Sequence, residues 1–232
     1  MAFADWDQIT SQGTSAQILN STLASPLTVG EVYCRRLVTQ SGGAWNAQSG
    51  ATLTSTYAGG AFFNVPNTRS LRLQAYLRVE SYSNNSTNCL AFGGKLPNTI
   101  GSGTTAASVI AGYALGIGVT ATNTLDISLY TNRVRTALPE GGLGSVALNT
   151  WYGLRLEVFS QGATGDRIMC YRESSPGSAT WVQIYDNTIL AASPSYVAWG
   201  GNRKTGFCTL TAHTNAITGY VDGVNFAVGT AV

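Results

Sequence analysis

The sequence predicts an all-β chain folded as two packed antiparallel sheets with little or no helix. Three observations carry that expectation. Asn149 to Asp186 reads as three consecutive strands with their turns written out. Composition favours strands and tight turns over helices, with 27 Gly, many Thr, Ser and Asn, and only 10% charged residues, against roughly 25% in ordinary soluble domains. No stretch carries the 3.6-residue apolar period of a helix longer than a turn.

The central stretch alternates Tyr152, Leu154, Leu156 and Val158 on one face with Gly153, Arg155, Glu157 and Phe159 on the other, as a half-buried strand requires. A polar turn follows over Gln161 to Asp166. Ile168 to Tyr171 is then the second strand, Ser174 to Gly177 a turn, and Trp181 to Tyr185 the third strand of a meander. Ahead of it, Phe3 to Thr28 is polar with scattered apolar residues, and Glu31 to Thr39 alternates as the first long strand. A Gly-rich loop carries Trp45, Thr52 to Tyr57 is a short strand, and Pro66-Asn67 makes a turn. Ser70 to Glu80 alternates as cleanly as the central strand: Leu71, Leu73, Ala75, Leu77 and Val79 face a core, while Arg72, Gln74, Tyr76 and Arg78 are solvated or form a contact surface. Cys89 to Phe92 is read as a short strand and Gly93 to Ala107 as a long connection. Tyr113 to Val119, Leu125 to Tyr130 and Arg133 to Thr136 continue the strand pattern, with a turn at Thr131-Asn132. After a Pro and Gly connection over Leu138 to Ser145 and the meander, Ile189 to Ser195 reads as loop. Tyr196 to Trp199 is a short strand and Phe207 to His213 another. In the closing strand, Gly219 to Val228, the residues Tyr220, Asp222, Val224, Phe226 and Val228 share a face.

Several classes are excluded. A formal charge of +2, from 13 basic and 11 acidic residues scattered along the chain, offers no phosphate-tracking stripe, so no nucleic-acid partner is expected. No apolar run reaches the length of a membrane span. Met1 to Asp7 lacks the basic start and apolar core of a signal peptide, so classical secretion is not expected. Without secretion the sequons Asn20-Ser21-Thr22 and Asn85-Ser86-Thr87 carry little meaning. Cys34, Cys89, Cys170 and Cys208 lie far apart with a single His in the chain, which leaves no zinc spacing. They read as buried free thiols, with disulfides the alternative in an oxidising medium.

Trp151-Tyr152 opening the strand through Val158, the meander with Trp181 and Asp186, and the C-terminal Tyr220-Val221-Asp222-Gly223-Val224 together resemble the concanavalin A-like jelly-roll sandwich of lectin, laminin-G and glucanase domains. The resemblance covers about residues 70–232. Residues 66–232 are expected to form that sandwich, and residues 1–65 an N-terminal arm and first strands packed on or part of it, in one domain overall. Glucanases of this fold use a Glu-x-Asp-x-(x)-Glu strand, which is absent here. Glu157 stands alone in its strand, facing Arg155. With no Ser-His-Asp parts either, the chain is expected not to be an enzyme and to hold no cofactor or metal.

Individual candidates have two readings each. His213 is structural or a base. Asp222 and Asp186 accept turn amides, or ligate calcium as the resemblance implies. Trp45 and Trp199 lie in or beside Gly-rich loops, where they pack on a loop base or stack on sugar rings as glycan contacts. Of the thirteen basic residues only Lys95 and Lys204 are lysine, and a surface rich in Arg and poor in Lys is the composition of a covered interface.

A lysine-poor, Thr/Gly/Asn-rich all-β chain of this kind resembles the jelly-roll accessory proteins of tailed-phage virions. The function that resemblance implies is a virion structural protein, a capsid decoration or cement protein or a knob or fibre component. It would self-associate as a symmetric homo-oligomer and bind the major capsid protein. The alternative is a lectin-like carbohydrate-binding module for host-surface glycan.

Overall fold

The strands run β1 (Trp6–Gln8), β2 (Gly13–Leu19), β3 (Tyr33–Thr39), β4 (Asn46–Leu53), β5 (Arg69–Tyr82), β6 (Cys89–Pro97) and β7 (Tyr113–Val119). They continue as β8 (Leu125–Thr131), β9 (Val134–Ala137), β10 (Trp151–Ser160), β11 (Gly165–Glu173), β12 (Trp181–Leu190), β13 (Arg203–Thr211) and β14 (Ile217–Thr230). The structure, a computed structural model, describes the backbone of residues 6–8, 13–19, 33–39, 46–53, 69–82, 89–97, 112–198, 203–211 and 217–230, and the side chains of 70–82, 89–95, 112–198 and 217–223. Among the described residues the only helical element is the 3-10 turn Gly162–Thr164. None forms a helix long and apolar enough to cross a membrane.

The strands form two antiparallel sheets, ordered β1-β4-β13-β6-β7-β8-β9 and β12-β11-β10-β5-β14-β3-β2. This is the expected two-sheet sandwich, consistent with a jelly roll. The two stretches with the cleanest alternation lie side by side: β10 pairs with β5 in the register Tyr152↔Leu77, Leu154↔Ala75, Leu156↔Leu73 and Val158↔Leu71. Their shared aliphatic face packs on Leu115, Ile117 and Val119 of β7 and Ile127 and Leu129 of β8 from the other sheet, all fully buried. Each such side chain stabilises the sandwich by about 1.5–3 kcal/mol relative to exposure.

The strand boundaries depart from expectation where main-chain pairing outruns the apolar pattern. β6 continues through Gly93 to Pro97, which the sequence suggests is connection, because β13 pairs with it as far as Pro97. β12 includes Ile189 and Leu190, paired with Asp166 and Gly165. Tyr196 to Ala198 forms no strand; Tyr196 instead closes a turn by donating its N–H to the Ser193 carbonyl at 3.0 Å. β1 and β2 fall in the stretch that reads only as polar, and β4 starts before the expected Thr52. The β8–β9 hairpin turns on Asn132-Arg133, with φ of 42° and 75°, one residue later than read. Two left-handed residues match the twist of a two-residue hairpin.

The closing strand differs most. A register irregularity between Asp222 and Asn225 breaks its alternation. Tyr220 and Asp222 lie across from Arg78 and Tyr76, whereas Phe226 and Val228 lie across from Leu73 and Leu71. The expected shared face is thus split in two, with Gly223 at φ 55° at the break. A bulge of this kind inserts an extra residue and re-aims those beyond it.

Candidate functional site

With the aliphatic residues of β5 and β10 turned to the core, their alternate residues project from the outer face of the second sheet. There Trp151, Gly153, Arg155 and Glu157 lie opposite Arg78, Tyr76, Gln74 and Arg72. On the other side of β10, Arg155 and Glu157 lie opposite Tyr171 and Met169 of β11. β12 adds Trp181 opposite Glu173, and Gln183 opposite Tyr171. β14 adds Tyr220 and Asp222. The result is one sheet face carrying arginines, tyrosines, tryptophans and carboxylates together.

Cross-strand pairing, more than sequence proximity, fixes the partners. Glu157, only 4% exposed, accepts a 2.6 Å hydrogen bond from Arg72 Nε on β5, while Arg155, two residues away, lies 3.9 Å from the same oxygen. That leaves Arg155 to stack, and its Cζ lies 4.1 Å from the Trp181 ring centre and 5.6 Å from that of Tyr171. Its buried Nε has no hydrogen-bond partner, and burial pulls its pKa below the usual arginine value. Arg78 is similar. Its Cζ sits 5.2 Å from the Tyr220 ring centre and Nη2 donates to Asn149 Oδ1 at 3.0 Å, yet its buried Nε and Nη1 have no acceptor.

Glu173, also buried, organises the neighbouring turn. Its carboxylate accepts the Gly177 and Ala179 N–H groups at 2.8 and 2.6 Å and the Tyr76 hydroxyl at 3.2 Å. Burial, and secondarily the Glu173 charge, push the Tyr76 phenol up to about 12. Gly153 makes this possible. A Cβ there would stand 2.6 Å from Glu173 Oε2 and 3.0 Å from Tyr76 Cε1, so only glycine lets the two side chains cross β10. The Tyr171 phenol is also raised, by burial first and then by Glu157 and Asp186, against the lowering effect of Arg155 and Arg167.

The residues singled out from the sequence fall differently. Trp45, Trp199 and His213 lie outside the described residues. Asp186 is neither a turn acceptor nor part of an acidic cluster: it is exposed in mid-strand and forms a two-bonded pair with Arg167 at 2.8 and 2.6 Å. Asp222 is fully buried and Oδ1 accepts the Gly223 N–H at 2.8 Å, the turn-amide reading. Among the described residues no group of three or more His, Cys, Asp or Glu could hold a metal ion. Cys89 and Cys170 are buried and in no disulfide, and burial raises the Cys170 thiol well above its ordinary value. The side chains of Cys34 and Cys208 lie outside the described residues. The described arginines turn inward as much as outward: Arg172 is buried and donates to the Gly144 and Leu143 carbonyls at 2.6 and 3.0 Å, and Arg135 pairs with Asp126.

Arg78, Tyr76, Tyr171, Glu173 and Tyr220 are not singled out by the sequence as site residues. Their signal is the polar half of each strand's alternation, which marks a face without saying what gathers there.

No protein-family model and no curated protein matches the chain. Among solved structures, it is similar to an endo-β-1,4-glucuronan lyase from the fungus Trichoderma reesei, at 12% identity and a TM-score of 0.51 over 99% of this chain and 92% of that one. It is similar to an alginate lyase at 11% identity and a TM-score of 0.50 over 97% of this chain and 96% of that one. A third is a carbohydrate esterase from the Shiga toxin-encoding bacteriophage phi24B, at 12% identity and a TM-score of 0.51 over 98% and 90%.

These likenesses correct the expectation that the chain is not an enzyme. That expectation rested on the missing glucanase carboxylate pattern and the missing Ser-His-Asp parts, whereas the sandwich is shared with a glucuronan lyase, an alginate lyase and a carbohydrate esterase. At these identities the likeness is one of fold: the chain is a two-sheet sandwich similar in architecture, over nearly its whole length, to carbohydrate-active enzymes.

Proposed function

We propose that the chain is a carbohydrate-active protein that holds an anionic, uronate-bearing polysaccharide across the outer face of the second sheet. The observation that carries this reading is the pair of arginines, Arg78 and Arg155, whose buried N–H groups lack acceptors on an aromatic face. An N–H sealed from water without a partner costs about 1–3 kcal/mol. The Arg155 side chain is nonetheless 19% exposed, and a guanidinium fork fits a carboxylate two bonds at a time. Trp181 and Tyr171 flank Arg155 and offer flat apolar surface to a sugar ring.

The reaction this residue set suits is β-elimination. Removing the proton next to a uronate carboxylate requires that the carboxylate's charge be neutralised and that a side chain take the proton. Arg155 would do the first; Tyr171, beside it, has a raised pKa that keeps its phenol protonated, so its part would be to protonate the departing glycosidic oxygen. Tyr76 is committed to Glu173.

The test is to offer the purified chain alginate, polyglucuronate and a neutral β-glucan, measuring binding by calorimetry and unsaturated chain ends by ultraviolet absorbance. The reading expects binding of the anionic polymers alone, weakened by salt, and a rise in absorbance that Arg155→Ala abolishes. Equal binding of the neutral glucan, or no binding of any polymer, overturns it.

The setting we propose is a tailed-phage particle, where the chain would sit as a decoration, cement, knob or fibre component, self-associated and docked on the major capsid protein. The lysine-poor composition and the phage origin of one similar structure support it. Peptide mass spectrometry of purified particles tests it.

A further inference from the structure

Away from the outer face, an ion pair is sealed between the two sheets. Lys95 on β6 and Asp166 on β11 meet at 2.6 Å between Nζ and Oδ2, with their side chains 2% and 0% exposed. The backbone goes out of its way to place Lys95 there: its φ is 54°, a left-handed conformation that a residue with a side chain rarely adopts. The β6–β13 register is irregular at the same point, with Lys204 opposite Leu96 but Gly206 opposite Gly93. Tyr113 Oη donates to Asp166 Oδ2 at 2.8 Å and itself accepts the Val197 N–H at 3.0 Å, so its proton is aimed at the carboxyl oxygen. The Tyr113 and Tyr196 ring centres lie 4.9 and 5.1 Å from Nζ.

We propose that Lys95 and Asp166 condense to an intramolecular isopeptide bond that ties the two sheets together covalently. Burial in an apolar interior disfavours separated charges, so the ammonium proton passes to the carboxylate and the pair becomes amine and acid. The lone pair on Nζ then attacks Cγ. The Nζ–Cγ bond forms, and the Cγ–Oδ2 bond breaks. Oδ2 leaves as water, taking one proton from the acid and one from the amine. Tyr113 gives its proton to the departing oxygen and is reprotonated from nitrogen. No oxidant or co-reactant is needed. Holding the two groups in contact replaces an encounter in solution, which is where effective molarities of about 10⁵–10⁸ M arise. Burial keeps the Tyr113 phenol protonated and so a donor.

The bond would close a loop between positions 71 residues apart, constraining the unfolded chain as a disulfide does but surviving any reductant. It is independent of what the outer face binds.

Intact mass spectrometry of the denatured, reduced wild-type chain tests it. The expected mass is one water below that of the sequence, and a tryptic digest should yield a branched peptide joining the Lys95 and Asp166 segments, uncut at Lys95. Lys95→Met and Asp166→Ala should restore the full sequence mass. Asp166→Asn should form the same bond by losing ammonia, converging on the wild-type mass. A wild-type chain of full sequence mass overturns the proposal without reference to any variant. So does a loss of water that maps to a succinimide at Asp222-Gly223 instead of to a branched peptide.

Discussion

Arg155 sits over the face of Trp181, with 4.1 Å between its Cζ and the indole ring centre. The stack fixes a guanidinium whose nearest carboxylate, Glu157, is already held by Arg72. Charge and geometry are therefore both set before any ligand arrives, and a lysine cannot replace either the fork or the stack. Arg155→Lys is expected to weaken binding of a uronate polymer by roughly 10- to 100-fold, the 1.5–3 kcal/mol of a hydrogen bond to a charged group. Calorimetry at low salt checks it, with unchanged neutral-polymer binding as control.

Gly153→Ala is expected to destabilise the chain by about 1–3 kcal/mol, the usual cost of overpacking. The new methyl would stand 2.9 Å from Glu173 Cβ and 3.0 Å from Tyr76 Cε1, both held from the other side by hydrogen bonds. A denaturant midpoint measures it. An unchanged midpoint would show that the Tyr76–Glu173 contact is dispensable.

Arg72→Ala and Arg167→Ala remove arginines that bond their carboxylates at the same 2.6 Å, and burial predicts different outcomes. Glu157, with its side chain 5% exposed, is left with only the longer Arg155 contact, and the loss is expected to approach the roughly 3–5 kcal/mol of an orphaned buried charge. Asp186 stays in water, and Arg167→Ala is expected to leave the midpoint unmoved. Equal effects would mean that burial does not decide the matter.

The pH dependence follows from Tyr76. Its folded pKa, about 12, lies above the ordinary 10.0, so the native state holds the proton more tightly than the unfolded chain. The resulting stability is fully present below pH 10 and is lost as pH rises through 12. Glu173→Gln removes the secondary cause and keeps the burial. Ultraviolet titration of that variant should find a Tyr76 pKa lower than the wild type's but still above 10.

Much of the sandwich was legible because β5, β7, β8 and β10 each turn a stripe of aliphatic residues to the core, and a side-chain period of two writes that stripe into the sequence. β1 and β2 escaped because main-chain pairing, which leaves no mark on residue type, defines them. The split face of β14 escaped for a related reason: a one-residue bulge reverses alternation without changing composition, and only the register shows it. Among the site residues, Arg155 and Glu157 were visible as neighbours in sequence, but their partners were not. Arg72 and Trp181 reach them across strands separated by tens of residues, a distance that local patterning does not span. The expectation of no enzymatic activity is corrected because it weighed only glucanase carboxylates and a Ser-His-Asp set, whereas solved structures of similar fold include lyases.

β14 pairs with both β5 and β3 in the middle of its sheet. Because it follows both of them in the chain, the two edges it joins must wait for it to leave the ribosome, exposing unpaired main chain and aliphatic surface in the meantime. Truncated or stalled chains should therefore be poor folders and ready aggregators, and any partner or chaperone that shields the nascent sandwich would find its target along those two waiting edges.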